Sequence, residues 1–286
     1  MSRNSRSAAP KTRYLDHGGG HLAYDVTGSG PLVVLAPGLG DIRTTYRHLA
    51  PLLVDAGYRV ATVDVRGHGE SSTGWPSHTR RDVAGDLVAL IRHLGGPATV
   101  VGASFAAGAA TIAAARHGDD VSAIVHIGPG VRAPRIGVRD LSPRLLHGLG
   151  LILGAAVLRS VALWRRYQHL AYPGPRPADF EAALRALTAN LREPGRMAAA
   201  SAMARSSPAE AAAHLPGVRR PTLIVMGGAD PDFPDPRREA DEIAAAMPPG
   251  IASVAMIEGS GHYPHAQHPH AVAAALLPFL KEHTGA

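Results

Sequence analysis

Six short apolar runs, rich in valine and isoleucine, alternate with longer alanine-rich segments of helical period along this chain. The runs are Pro31–Gly38, Arg59–Gly67, Ala98–Ser104, Val121–Gly128, Pro221–Gly228 and Ala252–Gly259. Each is apolar at nearly every position rather than at alternate ones, the pattern of a strand buried on both faces. The segments between them, such as "TRRDVAGDLVALIRHLGG" and "FAAGAATIAAARHGD", repeat apolar residues at helical spacing and end near glycine. Strands of this kind separated by helices predict a mostly parallel, doubly wound sheet of the α/β class, covered by helices on both sides. Two earlier stretches, around Tyr14 and in "HLAYDVTGSG", predict an antiparallel strand pair ahead of it.

The rhythm stops between about Gly130 and Pro216, where arginine, alanine, leucine and the prolines of "YPGPRPADF" replace the β-branched runs. A helical insertion placed there, after the sixth strand, predicts a cap over one end of the sheet. The domain reading is therefore a core of residues 12–129 and 217–286, a cap of residues 130–216, and a polar, disordered tail of residues 1–11.

Bulk properties remove several function classes. The chain has no cysteine, so disulfides, thiolate metal sites and cysteine nucleophiles are excluded. That composition fits a reducing compartment, and the expected location is the cytoplasm. The net charge of +6 comes almost wholly from arginines scattered among alanines, which is not the clustered footprint of a nucleic-acid binder. The segment Leu145–Trp164 approaches the roughly 20 residues of a membrane span, but His147, Arg159 and three glycines interrupt it. It reads as a buried or interfacial helix, with no stable membrane insertion.

Chemistry concentrates at strand ends. The third long strand runs into "VVGASFAAG", with Gly102 and Ala106 two positions on either side of Ser104. Small residues there suit a serine on a tight strand-to-helix turn; on this stretch alone, a serine that merely caps the helix is an equal reading. A serine nucleophile needs a base and a carboxylate to orient it. "VMGGADPDFPDP" supplies Asp230, with Asp232 two residues on, and "SVAMIEGSGH" delivers His262.

The order Ser104, Asp230, His262, together with "APGLGD", "DVRGHGES", "GGADPDFP" and "GHYPHAQHP", resembles the α/β-hydrolase fold superfamily, in its capped serine hydrolase branch. The likeness covers the chain from about Tyr14 to His283. It implies nucleophile Ser104, base His262 and acid Asp230, with Asp232 as the alternative acid. It implies an oxyanion hole built from the Leu39 and Phe105 N–H groups, with Gly38 beside the pocket. Two departures stand out: proline replaces the commoner histidine before Gly38, and alanine the commoner glycine at position 106.

The remaining candidates have competing readings. Trp164, Tyr167 and Tyr172 either gate the substrate or anchor the cap to the body. Arg66 and His68 read as groups that stitch a tight turn, and Asp41 and Arg43 as loop residues near the pocket mouth. The cluster His262, His265, His268 and His270 has the density of a metal site but no acidic or cysteine ligand beside it. One working imidazole with three bystanders is the reading adopted, with no metal and no cofactor.

The expected activity is hydrolysis of a small to medium hydrophobic carboxylic ester, thioester or lactone through an acyl-enzyme. The alternatives are carbon–carbon bond hydrolysis, or a non-hydrolytic small-molecule-binding or cyclase-like protein on the same fold. Serine at the elbow counts against the dehalogenase and epoxide-hydrolase branches, which carry aspartate there. Ala103 counts against the carbon–carbon branch, which often carries asparagine beside the nucleophile.

Overall fold

The computed structural model describes residues 11–284. The expected tail disorder therefore lies outside the described residues, Lys11 excepted. The chain opens with β1 (Arg13–His17) and β2 (Gly20–Thr27), which pair antiparallel with Tyr14 opposite Ala23. β3 (Leu32–Ala36) leads to a 3-10 turn at Arg43–Tyr46 and then to α1 (Leu49–Asp55). The sequence pattern places a single helix from Thr45 onward, but an α-helix cannot run through that point. Pro51 has no N–H to give the carbonyl of residue 47, and its ring would collide with that carbonyl.

The sheet continues with β4 (Arg59–Val63), α2 (Arg80–His93), β5 (Ala98–Ala103), α3 (Phe105–Arg116) and β6 (Val121–Ile127). Five helices then intervene: α4 (Pro143–Leu158), α5 (Val161–Ala171), α6 (Phe180–Arg192), α7 (Arg196–Arg205) and α8 (Ala209–His214). The core resumes with β7 (Thr222–Gly227), α9 (Pro236–Ala245), β8 (Ala252–Ile257), the one-turn α10 (Pro264–Gln267) and α11 (Pro269–Thr284). The expected architecture is present, with a helical insertion after the sixth strand.

The eight strands lie in the order β1-β2-β4-β3-β5-β6-β7-β8, parallel from β4 to β8. Successive residues of a strand point to opposite faces, so the near-continuous apolar runs feed two cores at once. Val34, Val100 and Ile124 pack beneath α2, α3 and α9, while Val33, Val101 and Val125 pack against α1 and α11. A third apolar cluster, with Trp164, Tyr167, Leu184 and Leu187, belongs to the inserted helices and includes Tyr263 of the body.

Register fixes where function can sit. Ala36 pairs with Gly102, Ala103 with Ile127, Ile127 with Val225, and Gly227 with Ile257. The carboxyl ends of five strands are thus level, and the loops that leave them share one edge of the sheet. The chain reverses direction of travel between β3 and β5, and an open sheet has its crevice at such a switch point.

Candidate active site

Ser104 joins β5 to α3 with φ of +48°, a left-handed backbone that serine rarely adopts. Two bonds hold it there: its N–H donates to the Ile127 carbonyl at 2.8 Å, and its carbonyl accepts from the Gly130 N–H at 3.0 Å. The turn is so tight that a Cβ on Gly102 would overlap the Ala106 carbonyl. That crowding falls on the backbone of residue 106, not on its side chain, and Ala106 is itself fully buried in α3. Alanine in place of the commoner glycine therefore fits this elbow.

His262 and Asp230 meet where the loops after β8 and β7 touch. The His262 Nδ1 lies 2.9 Å from Asp230 Oδ2, and both side chains are buried. Bonding at Nδ1 leaves Nε2 as the nitrogen able to take a proton. Asp232 lies slightly farther, at 3.4 Å from Nδ1, and its two carboxylate oxygens are each 2.9 Å from the Tyr167 hydroxyl. Its N–H donates to Asp230 Oδ1 at 3.0 Å, which fixes one carboxylate relative to the other.

The segment Gly128–Gly130 lies against both Ser104 and His262. A Cβ on Gly128 would stand 3.2 Å from His262 Nδ1, and one on Gly130 would stand 3.3 Å from the Ser104 carbonyl carbon. Two peptide steps separate these contacts, a span of at most about 7.6 Å between Cα atoms. Sequence reasoning passed over this pair of glycines, whose signal is the "GPG" directly after β6.

Electrostatics follow from burial and charge. Burial pushes the His262 imidazole down, but the charges of Asp230 and Asp232 outweigh it and carry its pKa up to about 9. Burial, helped by the neighbouring Asp230, lifts Asp232 to about 6, against the opposing pull of His262. Burial likewise raises Asp41, in the loop after β3, to about 6, although the Ile42 N–H donates to it at 2.8 Å.

The loop after β3 crosses the elbow. A Cβ on Gly38 would lie 2.9 Å from Ser104 Cβ, so the backbone passes directly over this serine. Among the described residues, neither the Leu39 nor the Phe105 N–H donates to a protein acceptor. Gly40 is clamped on both sides: its N–H donates to His68 Nε2 at 2.9 Å, and its carbonyl accepts from Trp164 Nε1 at 2.8 Å. His68 Nδ1 faces the Arg66 carbonyl at 3.0 Å, and burial holds the ring's pKa down at about 4, so it is a neutral acceptor at Nε2. His68 does more than stitch its own turn, therefore: it reaches the loop that overlies Ser104. Arg66 also leaves its turn, gripping Asp86 of α2 through two nitrogens at 2.7 Å. Arg43 turns away from the mouth into an ion network with Asp25, Asp64 and Glu70.

All three aromatic candidates are buried and tied down. Trp164 covers Gly40, Tyr167 holds Asp232, and Tyr172 stacks on Tyr263 with centroids 5.0 Å apart. The insertion also grips the histidine loop, since the His262 N–H donates to the Ala171 carbonyl at 3.0 Å. Gln267 braces the same loop, accepting from the Gly261 N–H at 3.0 Å and donating to the Pro175 carbonyl at 2.9 Å.

Asp230, Asp232 and His262 present donor atoms within 4.8 Å of one another, the one group among the described residues with a metal site's spacing. Within it, Asp230 bonds His262 Nδ1 and Asp232 bonds the Tyr167 hydroxyl. His265 sits elsewhere, buried against Tyr46 with Nε2 3.1 Å from Thr45 Oγ1. His268 directly precedes α11.

A family model described as "Alpha/beta hydrolase family" matches residues 33–275, most of the chain. The chain belongs to the alpha/beta hydrolase family. This alpha/beta hydrolase is 26% identical to Epoxide hydrolase A of Mycobacterium tuberculosis over 332 aligned residues, covering 95% of this chain and 98% of that one. Among solved structures, a thermophilic esterase from Thermogutta terrifontis superposes with a TM-score of 0.77 at 24% identity, over 97% of this chain and 100% of its own. The esterase EaEST from Exiguobacterium antarcticum gives 0.77 at 20% identity, over 92% and 96%. At these identities the structural likeness speaks to fold. The family makes this alpha/beta hydrolase an enzyme of hydrolytic chemistry on a small molecule. No helix among the described residues is long and apolar enough to cross a membrane.

Proposed function

We propose that this alpha/beta hydrolase cleaves small to medium hydrophobic carboxylic esters, thioesters or lactones by acyl transfer through Ser104. The carrying observation is a hydroxyl, not a carboxylate, on the strained elbow, one short glycine-bounded loop away from a histidine bonded to Asp230. His262 Nε2 takes the Ser104 proton as the oxygen adds to the substrate carbonyl. Asp230 keeps the imidazole oriented and stabilises its charged form. The Leu39 and Phe105 N–H groups, free of other partners, receive the oxyanion. The protonated imidazole then passes its proton to the departing alcohol or thiol. Water, deprotonated by the same His262, releases the acid and restores Ser104.

The elbow residue also supports one branch over another. A carboxylate that opens an epoxide forms an ester, which water can cleave. A serine doing the same would form an ether, which no second step of this machinery could hydrolyse. Epoxide hydrolysis, the activity named for the mycobacterial relative, is therefore not proposed here. The apolar surroundings support an apolar acyl or alcohol group: Leu39 packs against both the body core and the insertion core, beside Trp164 and Leu163. We also propose that residues 130–216 act as the cap of a core formed by residues 12–129 and 217–286.

The test is labelling with a fluorophosphonate, followed by hydrolysis of p-nitrophenyl esters of graded chain length by wild type, Ser104→Ala and His262→Ala. Covalent mass added at Ser104 and loss of turnover in both variants are expected. Label on another residue, or full turnover in Ser104→Ala, overturns the reading.

A further inference from the structure

Nine large apolar side chains stand exposed among the described residues, and eight of them fall between Ile136 and Leu158. Helix α4 is the centre of this patch. Its inner face buries Leu145, Gly148, Leu151 and Ala155 against the rest of the insertion. Its outer face carries Leu146, Leu149, Leu153 and Val157, spaced three or four residues apart along one stripe. Leu153, Val157 and Leu158 are 65%, 66% and 70% exposed, and Val138 in the preceding turn is 88% exposed. A helix that is apolar on every side is ordinarily covered on every side. A single patch this concentrated marks a surface that meets something apolar.

Charge identifies what it meets. From residue 141 to residue 178 the chain has no aspartate or glutamate. Arg135, Arg139, Arg144 and Arg159 are exposed around the stripe and pair with no described carboxylate; the nearby Asp140 is already held by Arg238. An apolar helical face ringed by arginines that no carboxylate neutralises is the chemistry that settles into the headgroup region of an anionic bilayer. It is poorly suited to a second copy of the chain. A two-fold contact through α4 would set these arginines against their own kind, and the one acid of that turn, Asp140, is held by Arg238.

We propose that the outer face of α4, with the turn at Arg135–Leu141, docks on an anionic phospholipid bilayer. The helix lies in the surface and does not span it. A cavity of about 250 Å³ lies between the start of α4 and the loop after β7, lined by Ser142, Leu145, Pro231 and Phe233 and reaching Asp230. If the acyl-transfer reading above holds, the enzyme draws acyl esters dissolved in the bilayer; the docking itself does not rest on that reading.

The test is co-sedimentation of the full chain with vesicles of phosphatidylcholine alone and of phosphatidylcholine mixed with phosphatidylglycerol. Wild type is expected to partition onto the anionic vesicles at least about tenfold better, with binding that weakens as salt rises. The double variant Leu153→Glu with Val157→Glu, changed only at solvent-facing positions, should lose about tenfold on the anionic vesicles. Arg135→Gln with Arg139→Gln should lose the preference for anionic over neutral vesicles while keeping the wild-type melting temperature. Wild type left in the supernatant with anionic vesicles at low salt overturns the proposal. So does unchanged binding by both double variants, or a lipid-free dimer in sedimentation velocity that Leu153→Glu with Val157→Glu dissolves. None of these readouts depends on turnover, so absence of ester hydrolysis would remove the acyl-transfer reading and leave the docking result standing.

Discussion

The Nδ1 of His262 faces two carboxylates, Asp230 at 2.9 Å and Asp232 at 3.4 Å. Only the first makes a hydrogen bond of normal length, because Tyr167 draws Asp232 toward its own hydroxyl. Asp230→Asn should lower kcat for an activated ester by about 10³-fold. That is short of the roughly 10⁴-fold loss when an orienting aspartate has no substitute, since Asp232 can still orient the ring. Asp232→Asn alone should cost less than about tenfold. Stopped assays on the two variants and the double variant check this; a larger loss from Asp232→Asn reverses the assignment.

The same pair sets the pH response. With its pKa carried up to about 9 by the two charges, His262 should hold a proton in most molecules at neutral pH, leaving a minor fraction free to act as base. For a neutral ester, kcat/KM should therefore rise with pH and level off only above about 9. Removing the Asp232 charge takes away one source of stabilisation for the imidazolium, so Asp232→Asn should move this limb to lower pH. A profile centred near the ordinary imidazole value of 6.5, unmoved in Asp232→Asn, would show that the two charges do not act on the ring.

The sheet was legible because burial on both faces writes itself into composition: Val33 and Val34 are both apolar since each feeds a different core. The places of Ser104, Asp230 and His262 were legible for a related reason, since each lies within five residues of a strand's end and the level strand ends bring the loops to one edge. What the chain did not reveal are relations that exist only after packing. Nothing near His68 signals that its ring will reach Gly40. Nothing in "HLAYPGP" signals that the Ala171 carbonyl will hold the His262 backbone. Two aspartates two residues apart also look alike in one dimension; the turn in which the Asp232 N–H bonds Asp230 separates them.

His68 is a positioning residue under the proposed mechanism, acting on the Leu39 oxyanion donor through the next peptide. His68→Ala leaves the Gly40 N–H without its acceptor and frees the loop that passes over Ser104. A displacement of a fraction of an ångström there should reduce kcat roughly tenfold to a hundredfold, with KM nearly unchanged. His68→Gln offers an amide oxygen as acceptor and should recover part of the loss. Equal damage in both variants, matched by equal losses in melting temperature, would mean that the ring only fills space.

Asp41 should make the fold's stability depend on pH in the acid range. Burial raises its pKa from the ordinary 3.8 to about 6, so the folded chain binds this proton more tightly than the unfolded chain does. Between those values the folded state carries the extra proton, and stability must fall as pH rises through the window. Below about 4 both states are protonated and the penalty vanishes; above about 6 it is complete, at about 3 kcal/mol. Asp41→Asn, neutral at every pH, escapes it. Urea unfolding at pH 8 should therefore find the variant more stable by up to that amount, with the advantage gone at pH 4. A difference of the same size at both pH values would mean that the substitution acts through packing and not through the proton.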